Sequence, residues 1–254
     1  MAAEAATATT EDAVLGGRLT LRQPRRGHRV GHDAILLAAA TDAQAGEHVV
    51  DLGSGVGAAG LALARRIAGV AVTLVEIDAD LAKLAAENAE LNRLSDRVKV
   101  ASLDVAGTAT DFAAAGLAPG SAARVLMNPP FNDVTRQNVS PDAGRRRAHV
   151  ASERLLVQWM RRASSLLAPS GTLTLIWRAD GIAEVLAAAG SFGGVAIIPV
   201  YPRPDAAAIR VLVRAIKGSR APLMLLPGLT LNDREGRPSA EAEAILRGGE
   251  ALRL

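Results

Sequence analysis

Asn128-Pro129-Pro130-Phe131 is the segment richest in chemistry. It follows Ala123-Arg124-Val125-Leu126-Met127, an apolar run that reads as a strand. Proline cannot donate to a β-ladder, so the strand stops there and the Pro129 carbonyl is free to turn into a cleft. Asn128 adds a side-chain carbonyl oxygen. Two acceptors converging on one planar amine hold both of its hydrogens and favour a tetrahedral nitrogen. The lone pair then points outward instead of into the conjugated ring. Phe131 offers a flat face on which such a substrate stacks. Adenine, guanine, cytosine or a glutamine amide fits this description. A Pro-Pro pair also serves as a plain strand terminator; its place downstream of a glycine turn is what favours the chemical reading.

That turn is Asp51-Leu52-Gly53-Ser54-Gly55-Val56-Gly57, between a short strand, Val49–Leu52, and a helix. Glycines let the backbone turn tightly and approach a ligand at the carboxyl end of a parallel sheet. Glu76 closes the next strand, where a carboxylate can accept from both hydroxyls of a ribose. Asp104, at the end of the third strand, stands where an adenine edge would lie. Gly55-Val56-Gly57-Ala58-Ala59-Gly60 also satisfies the dinucleotide pattern G-x-G-x-x-G, so an NAD site competes. Asp51 would repel a pyrophosphate but would suit the cationic amino acid part of S-adenosylmethionine, which is the favoured ligand. The candidate cofactor set is Asp51, Gly53, Ser54, Gly55, Glu76, Ile77, Asp104 and Asn128. The candidate catalytic set is Asn128, Pro129 and Phe131.

The constellation resembles class I methyltransferases that alkylate planar nitrogen. Three segments narrow the likeness: Gly27-His28-Arg29-Val30-Gly31-His32-Asp33-Ala34-Ile35-Leu36-Leu37, the Asn128–Phe131 motif, and Lys217-Gly218-Ser219-Arg220-Ala221-Pro222-Leu223. Together they resemble the bacterial tRNA adenine-N6 methyltransferases, which modify the adenine just 3′ of the anticodon of a valine tRNA. The resemblance covers about residues 15–254. It implies a Rossmann-like α/β fold with a mostly parallel seven-stranded sheet, helices on both faces and a terminal antiparallel strand. It also implies cofactor contact at Asp51, Gly53, Gly55, Glu76 and Asp104, with Asn128 and Phe131 at the base. Enterobacterial members carry Tyr where Phe131 stands; stacking survives that difference, a phenolic hydrogen bond does not. The cleft motif is shared by several N-methylating families, so an rRNA guanine amine or a protein glutamine remains an alternative acceptor. Enzymes of the glutamine type usually have a helical N-terminal domain, for which about 45 residues leave little room. A non-catalytic RNA-binding module on the same fold is the alternative of another class; intact Asp51, Glu76 and Asn128 argue against it.

The elements that must position these residues alternate strand and helix over most of the chain. Strands are expected at 49–52, 72–76, 97–103, 123–127, 171–177, 195–200 and 209–216, with the last pair antiparallel. Helices are expected at 34–40, 61–66, 80–92, 150–167, 181–189 and about 240–246, and a polar loop at 132–148. This pattern argues a parallel sheet covered on both faces. Residues 1–14 read as a flexible tail, 15–45 as a hairpin and helix, and 46–254 as the main domain. At 254 residues, 49% hydrophobic and 22% charged, the chain suits one large globular domain. It has no cysteine, which excludes disulfides and thiolate chemistry and suits a reducing cytoplasm. No run reaches the ~20 apolar residues of a membrane span, and the N-terminus lacks the pattern of a secretory signal.

Net charge is +3, and 26 of the 29 basic residues are arginine. The bases are clustered: Arg18, Arg22, Arg25, Arg26 and Arg29; Arg145, Arg146 and Arg147; then Arg203, Arg210, Arg214, Lys217 and Arg220. A charge run is often a solvated face, but segregation on a nearly neutral chain suits phosphate contacts to RNA. Arg25, Arg26, Arg145, Arg146, Arg147, Lys217 and Arg220 are the candidate RNA contacts, with tRNA the expected partner. His28, His32, His48 and His149 lack metal-ligand spacing, so no metal is expected. Aromatics at 2% argue against an extended stacking platform; Tyr201 is a weak candidate for a second stacking surface.

Overall fold

The strands 48–52, 71–76 and 122–127 are near-continuous runs of Val, Leu and Ala because they lie inside a sheet covered on both sides. A computed structural model describes residues 9–26, 29–130 and 143–252, with the backbone alone for 143–153. In chain order the strands are β1 (Thr9–Val14), β2 (Leu19–Pro24), β3 (His48–Leu52), β4 (Ala71–Glu76), β5 (Val98–Ser102), β6 (Ala122–Met127), β7 (Leu167–Arg178), β8 (Phe192–Tyr201), β9 (Arg210–Lys217), β10 (Met224–Leu225) and β11 (Leu229–Thr230). The helices are α1 (His32–Ala40), α2 (Ala58–Arg66), α3 (Ala79–Leu91), α4 (Ala109–Ala114), α5 (Ala143–Leu166), α6 (Ile182–Ala188) and α7 (Ala240–Leu246).

The main sheet runs β5-β4-β3-β6-β7-β9-β8, with β10 and β11 each adding two residues to β8. The expected seven strands are therefore present, extended to nine by these short additions. β9 is antiparallel to both neighbours, as expected of the last pair, and is inserted between β7 and β8. Successive strand residues feed opposite cores. Val49, Val72 and Leu126 join Leu36, Leu61 and Ala85 of α1, α2 and α3 on one face. Val50, Val75 and Met127 join Phe112, Trp159 and Val185 of α4, α5 and α6 on the other.

Three expectations are corrected. Residues 9–14 are not a tail: β1 pairs antiparallel with β2 from Thr9↔Pro24 to Val14↔Leu19. The tail expected at 1–14 thus loses its last six residues to the hairpin, and residues 1–8 lie outside the described residues. The loop expected at 132–148 gives way to α5 from Ala143, which carries Arg145, Arg146 and Arg147. α4 is a helix where none is expected. Its start is fixed by a reciprocal capping box, in which the Asp111 N–H donates to Thr108 Oγ1 and the Thr108 N–H to Asp111 Oδ2.

Candidate active site

Three adjacent parallel strands end side by side. Leu52 of β3 is in register with Met127 of β6 on one side and with Val75 of β4 on the other. The residues that follow, Gly53, Asn128 and Glu76, lie together at the carboxyl edge of the sheet, where α/β folds take ligands. The glycine turn is stitched over β4: the N–H groups of Gly53 and Ser54 donate to the Val75 carbonyl at 2.8 and 2.9 Å. Gly53 has φ +68°, and a Cβ there would lie 2.3 Å from the ring of Trp159 on α5, so glycine alone fits.

Glu76 is 7% exposed. Its Oε2 accepts from the Gly55 N–H at 2.7 Å and its Oε1 from the Asp78 N–H at 2.9 Å. A carboxylate has about four lone-pair sites, so acceptor capacity for a diol remains. Ile77, beside it, is 64% exposed, an apolar face presented at the same edge.

Asp51 lies beneath the turn, 2% exposed, with Oδ2 accepting from the Gly60 N–H at 2.9 Å. Burial pushes its carboxyl up to about 7; the Gly60 bond opposes that rise and the nearby Glu76 charge adds to it. Its role in the structure is to tie β3 to the first turn of α2. Asp104 is exposed, two residues past the end of β5, and accepts from the Ala106 N–H at 2.8 Å.

Asn128 is half-buried, Pro129 buried and Pro130 exposed. The Oδ1 of Asn128 and the Oγ of Ser54 are buried without a hydrogen-bond partner among the described residues. A buried acceptor left unpaired costs about 1–3 kcal/mol, and these two atoms lie together at the carboxyl edge of the sheet, where a ligand's polar groups could pair with them. Phe131 and its stacking role lie outside the described residues, as do the side chains of Arg145, Arg146, Arg147 and His149. Among the described residues no group of three or more acidic or histidine side chains could hold a metal, and no helix is long and apolar enough to cross a membrane.

A pair of asparagines supports the site and escapes the sequence reading. Asn88 of α3 and Asn92, its C-cap, are buried and run along β2 like a missing strand. Asn88 accepts from the Arg22 N–H at 2.7 Å and donates to the Arg22 carbonyl at 3.0 Å. Asn92 does the same with Thr20, at 3.0 and 2.7 Å. Asn88 Nδ2 also donates to the Val56 carbonyl, at 3.0 Å, inside the glycine turn. The available signal is two asparagines at i, i+4 on an Ala-rich helix, hence on one face.

Most hairpin arginines are engaged. Arg22 pairs with Glu11 and Glu87, Arg29 with Asp12, and Arg18 donates to the Gly248 carbonyl. Arg25 and Arg26 stay exposed, Arg25 reaching only the Thr9 carbonyl at 3.4 Å. Lys217 and Arg220 are not brought to the site. Thr172, early in β7, pairs with Ile216, so β9 ends at the opposite edge of the sheet. Lys217 there donates to the Leu167 carbonyl at 2.6 Å.

Residues 28–198 match the family model described as the methyltransferase small domain. The chain belongs to the methyltransferase small domain family. A solved methyltransferase, described as a predicted O-methyltransferase, protein Atu636 from Agrobacterium tumefaciens, is 34% identical, with TM-score 0.74 over 87% of this chain and 98% of that one. The tRNA1(Val) (adenine(37)-N6)-methyltransferase of Porphyromonas gingivalis is 32% identical over 172 residues, 66% of each chain. The alignment thus spans just under two thirds of that relative's length. The ribosomal RNA small subunit methyltransferase C of Pseudomonas aeruginosa is 35% identical over 150 residues, 58% of this chain and 37% of that protein. The sheet order and glycine turn of this methyltransferase-family chain are those of a class I methyltransferase.

Proposed function

We propose that this protein is an S-adenosylmethionine-dependent N-methyltransferase acting on the exocyclic amine of adenine in tRNA, in valine tRNA 3′ of the anticodon. The observation that carries the reading is the unpartnered Asn128 Oδ1 at the end of β6, in register with the glycine turn on β3. It supports a planar-amine acceptor over the hydroxyl acceptor implied by the Agrobacterium protein's description. The match to the methyltransferase small domain favours S-adenosylmethionine over NAD, whereas Asp51, buried beneath the turn and held by the Gly60 N–H, does not face the ligand edge as the sequence suggests.

The site fits S-adenosylmethionine. Glu76 would take the ribose hydroxyls on its remaining lone pairs, Ile77 would cover the adenine ring, and Asp104 would meet its edge. Ser54 Oγ would serve the amino acid end, the Gly53, Ser54 and Gly55 N–H groups being already donated to Val75 and Glu76. The bound cofactor supplies a methyl group activated on a sulfonium, so neither metal nor covalent enzyme intermediate is needed. Asn128 and the Pro129 carbonyl would accept the two amine hydrogens. That draws the nitrogen lone pair out of ring conjugation and holds it toward the incoming methyl. Both interactions strengthen as the nitrogen pyramidalises, so they act in the transition state. The proton departs to solvent after transfer.

The Pseudomonas relative favours a second reading, an rRNA guanine amine. Incubating the purified protein with labelled cofactor and unmodified tRNA or rRNA, followed by nucleoside mass spectrometry, separates the two. N6-methyladenosine in valine tRNA is expected. N2-methylguanosine in rRNA alone would replace the acceptor, and calorimetric binding of NAD without response to S-adenosylmethionine would end the reading.

A further inference from the structure

Three exposed cationic positions, Arg203, Arg25–Arg26 and Arg220, differ in the sheet edge on which they stand. β8 and β7 both run antiparallel to β9, so β8 points the same way as β6 and ends, at Tyr201, on the edge that carries Asn128. The turn after it, Pro202-Arg203-Pro204-Asp205, therefore stands on that edge, with Arg203 exposed. Its neighbours are neutralised, Arg210 by Asp33 and Arg234 by Asp205 at 2.8 and 2.9 Å. No ion pair or side-chain hydrogen bond joins Arg203 to a described residue.

A second exposed cationic group, outside any ion pair with a described residue, lies at the other end of the same edge. Thr20 meets Asn92 and Arg22 meets Asn88, so β2 runs antiparallel to α3 and leaves toward the start of that helix. α3 starts just after Glu76, at the ligand edge, and packs over β4 and β5. Arg25 and Arg26 follow β2 there. Arg220 is the exposed contrast, three residues beyond the opposite end of β9.

β6 is the central strand of the order β5-β4-β3-β6-β7-β9-β8. From β4 or β5 to β8 are five or six strand spacings of about 4.8 Å, or roughly 24–29 Å along the edge. Asn128 lies between the two cationic ends. One nucleotide cannot reach both. A folded RNA can, with phosphates on either side of a base that enters at β6 by leaving its stack.

Building on the proposed RNA methylation, we propose that Arg203 and the Arg25–Arg26 pair are the two phosphate-contact ends of one RNA-docking edge centred on Asn128. The preferred ligand is folded RNA and not a mononucleotide, and Arg220 takes no part.

The test is fluorescence anisotropy of full-length unmodified tRNA transcript over a salt series, with wild type, R203A, R203K, R25A/R26A and R220A. Calorimetry with S-adenosylmethionine checks that each variant is folded. R203A and R25A/R26A should each weaken tRNA binding. They should lower the slope of log K against log salt by about 0.7–0.9 per lost contact. R203K and R220A should keep the wild-type slope, and cofactor affinity should be unchanged throughout. An R203A slope equal to wild type, or R220A as damaging as R203A, overturns the docking edge while RNA methylation by the wild type stands. A wild type that methylates no RNA overturns the proposed function and this edge together.

Discussion

Replacing Asp51 by asparagine tests the placement of a buried carboxyl under the glycine turn. In the folded chain this group is pushed up to about 7, chiefly by burial, whereas an unfolded aspartate ionises near 3.9. Between those values the folded state holds a proton that the unfolded state has released. The contribution of Asp51 to stability is therefore fully present below about pH 4, is lost as pH rises to about 7, and is flat above that. The amide of the Asp51→Asn variant cannot ionise and can still accept from the Gly60 N–H through its Oδ1. One pKa unit is worth about 1.36 kcal/mol, so from pH 4.5 to 8 the variant should gain about 3 kcal/mol relative to wild type. Urea unfolding followed by tryptophan fluorescence measures the difference across that range. Asp12, Asp111 and Asp233, all shifted downward, change protonation below this window and are common to both proteins. Parallel profiles for the two proteins would refute the buried, protonated assignment.

Asn128→Ala should slow single-turnover methylation by a factor on the order of 100 or more. It should leave the melting temperature almost unchanged, because its Oδ1 has no described partner to lose; a folded variant at wild-type rate would remove Asn128 from catalysis. Glu76→Ala frees the Gly55 and Asp78 N–H groups and the ribose acceptor together, so cofactor binding measured by calorimetry should weaken by roughly 1.5–3 kcal/mol. Gly53→Ala drives a methyl into the Trp159 ring at a positive φ, and should lower stability in urea unfolding by about 1–3 kcal/mol; an unaltered midpoint would show that α5 yields easily there.

The sheet is readable in the sequence because most of its strands are largely apolar runs closed within two residues by Gly, Pro or an acid. The site residues at strand ends are readable for the same reason: chain position at a carboxyl end already implies the ligand edge. Direction defeats the same logic at Lys217 and Arg220. They follow a strand too, but β9 is reversed, and its end faces away from Asn128. Local amphipathicity also fails where little is buried. α4 offers one core side chain, Phe112, and is declared only by its Thr108–Asp111 cap. β1 alternates exposed and half-buried residues with none buried, so its Ala, Thr and acids look like a tail until β2 is seen beside it. Asn88 is illegible as a support because its partners, Arg22 and Val56, are 66 and 32 residues away.

The asparagine clamp also determines how the chain can be divided. Four hydrogen bonds from Asn88 and Asn92 hold β2, and a fifth holds the Val56 carbonyl. Peeling off the hairpin strands two buried amides, one of which also holds the glycine turn, so residues 9–24 are not a detachable appendage in energetic terms. The hairpin and the glycine turn are thus expected to open together, as one cooperative unit. Trimming this segment should therefore alter the glycine turn through Asn88, which bonds both Arg22 and the Val56 carbonyl.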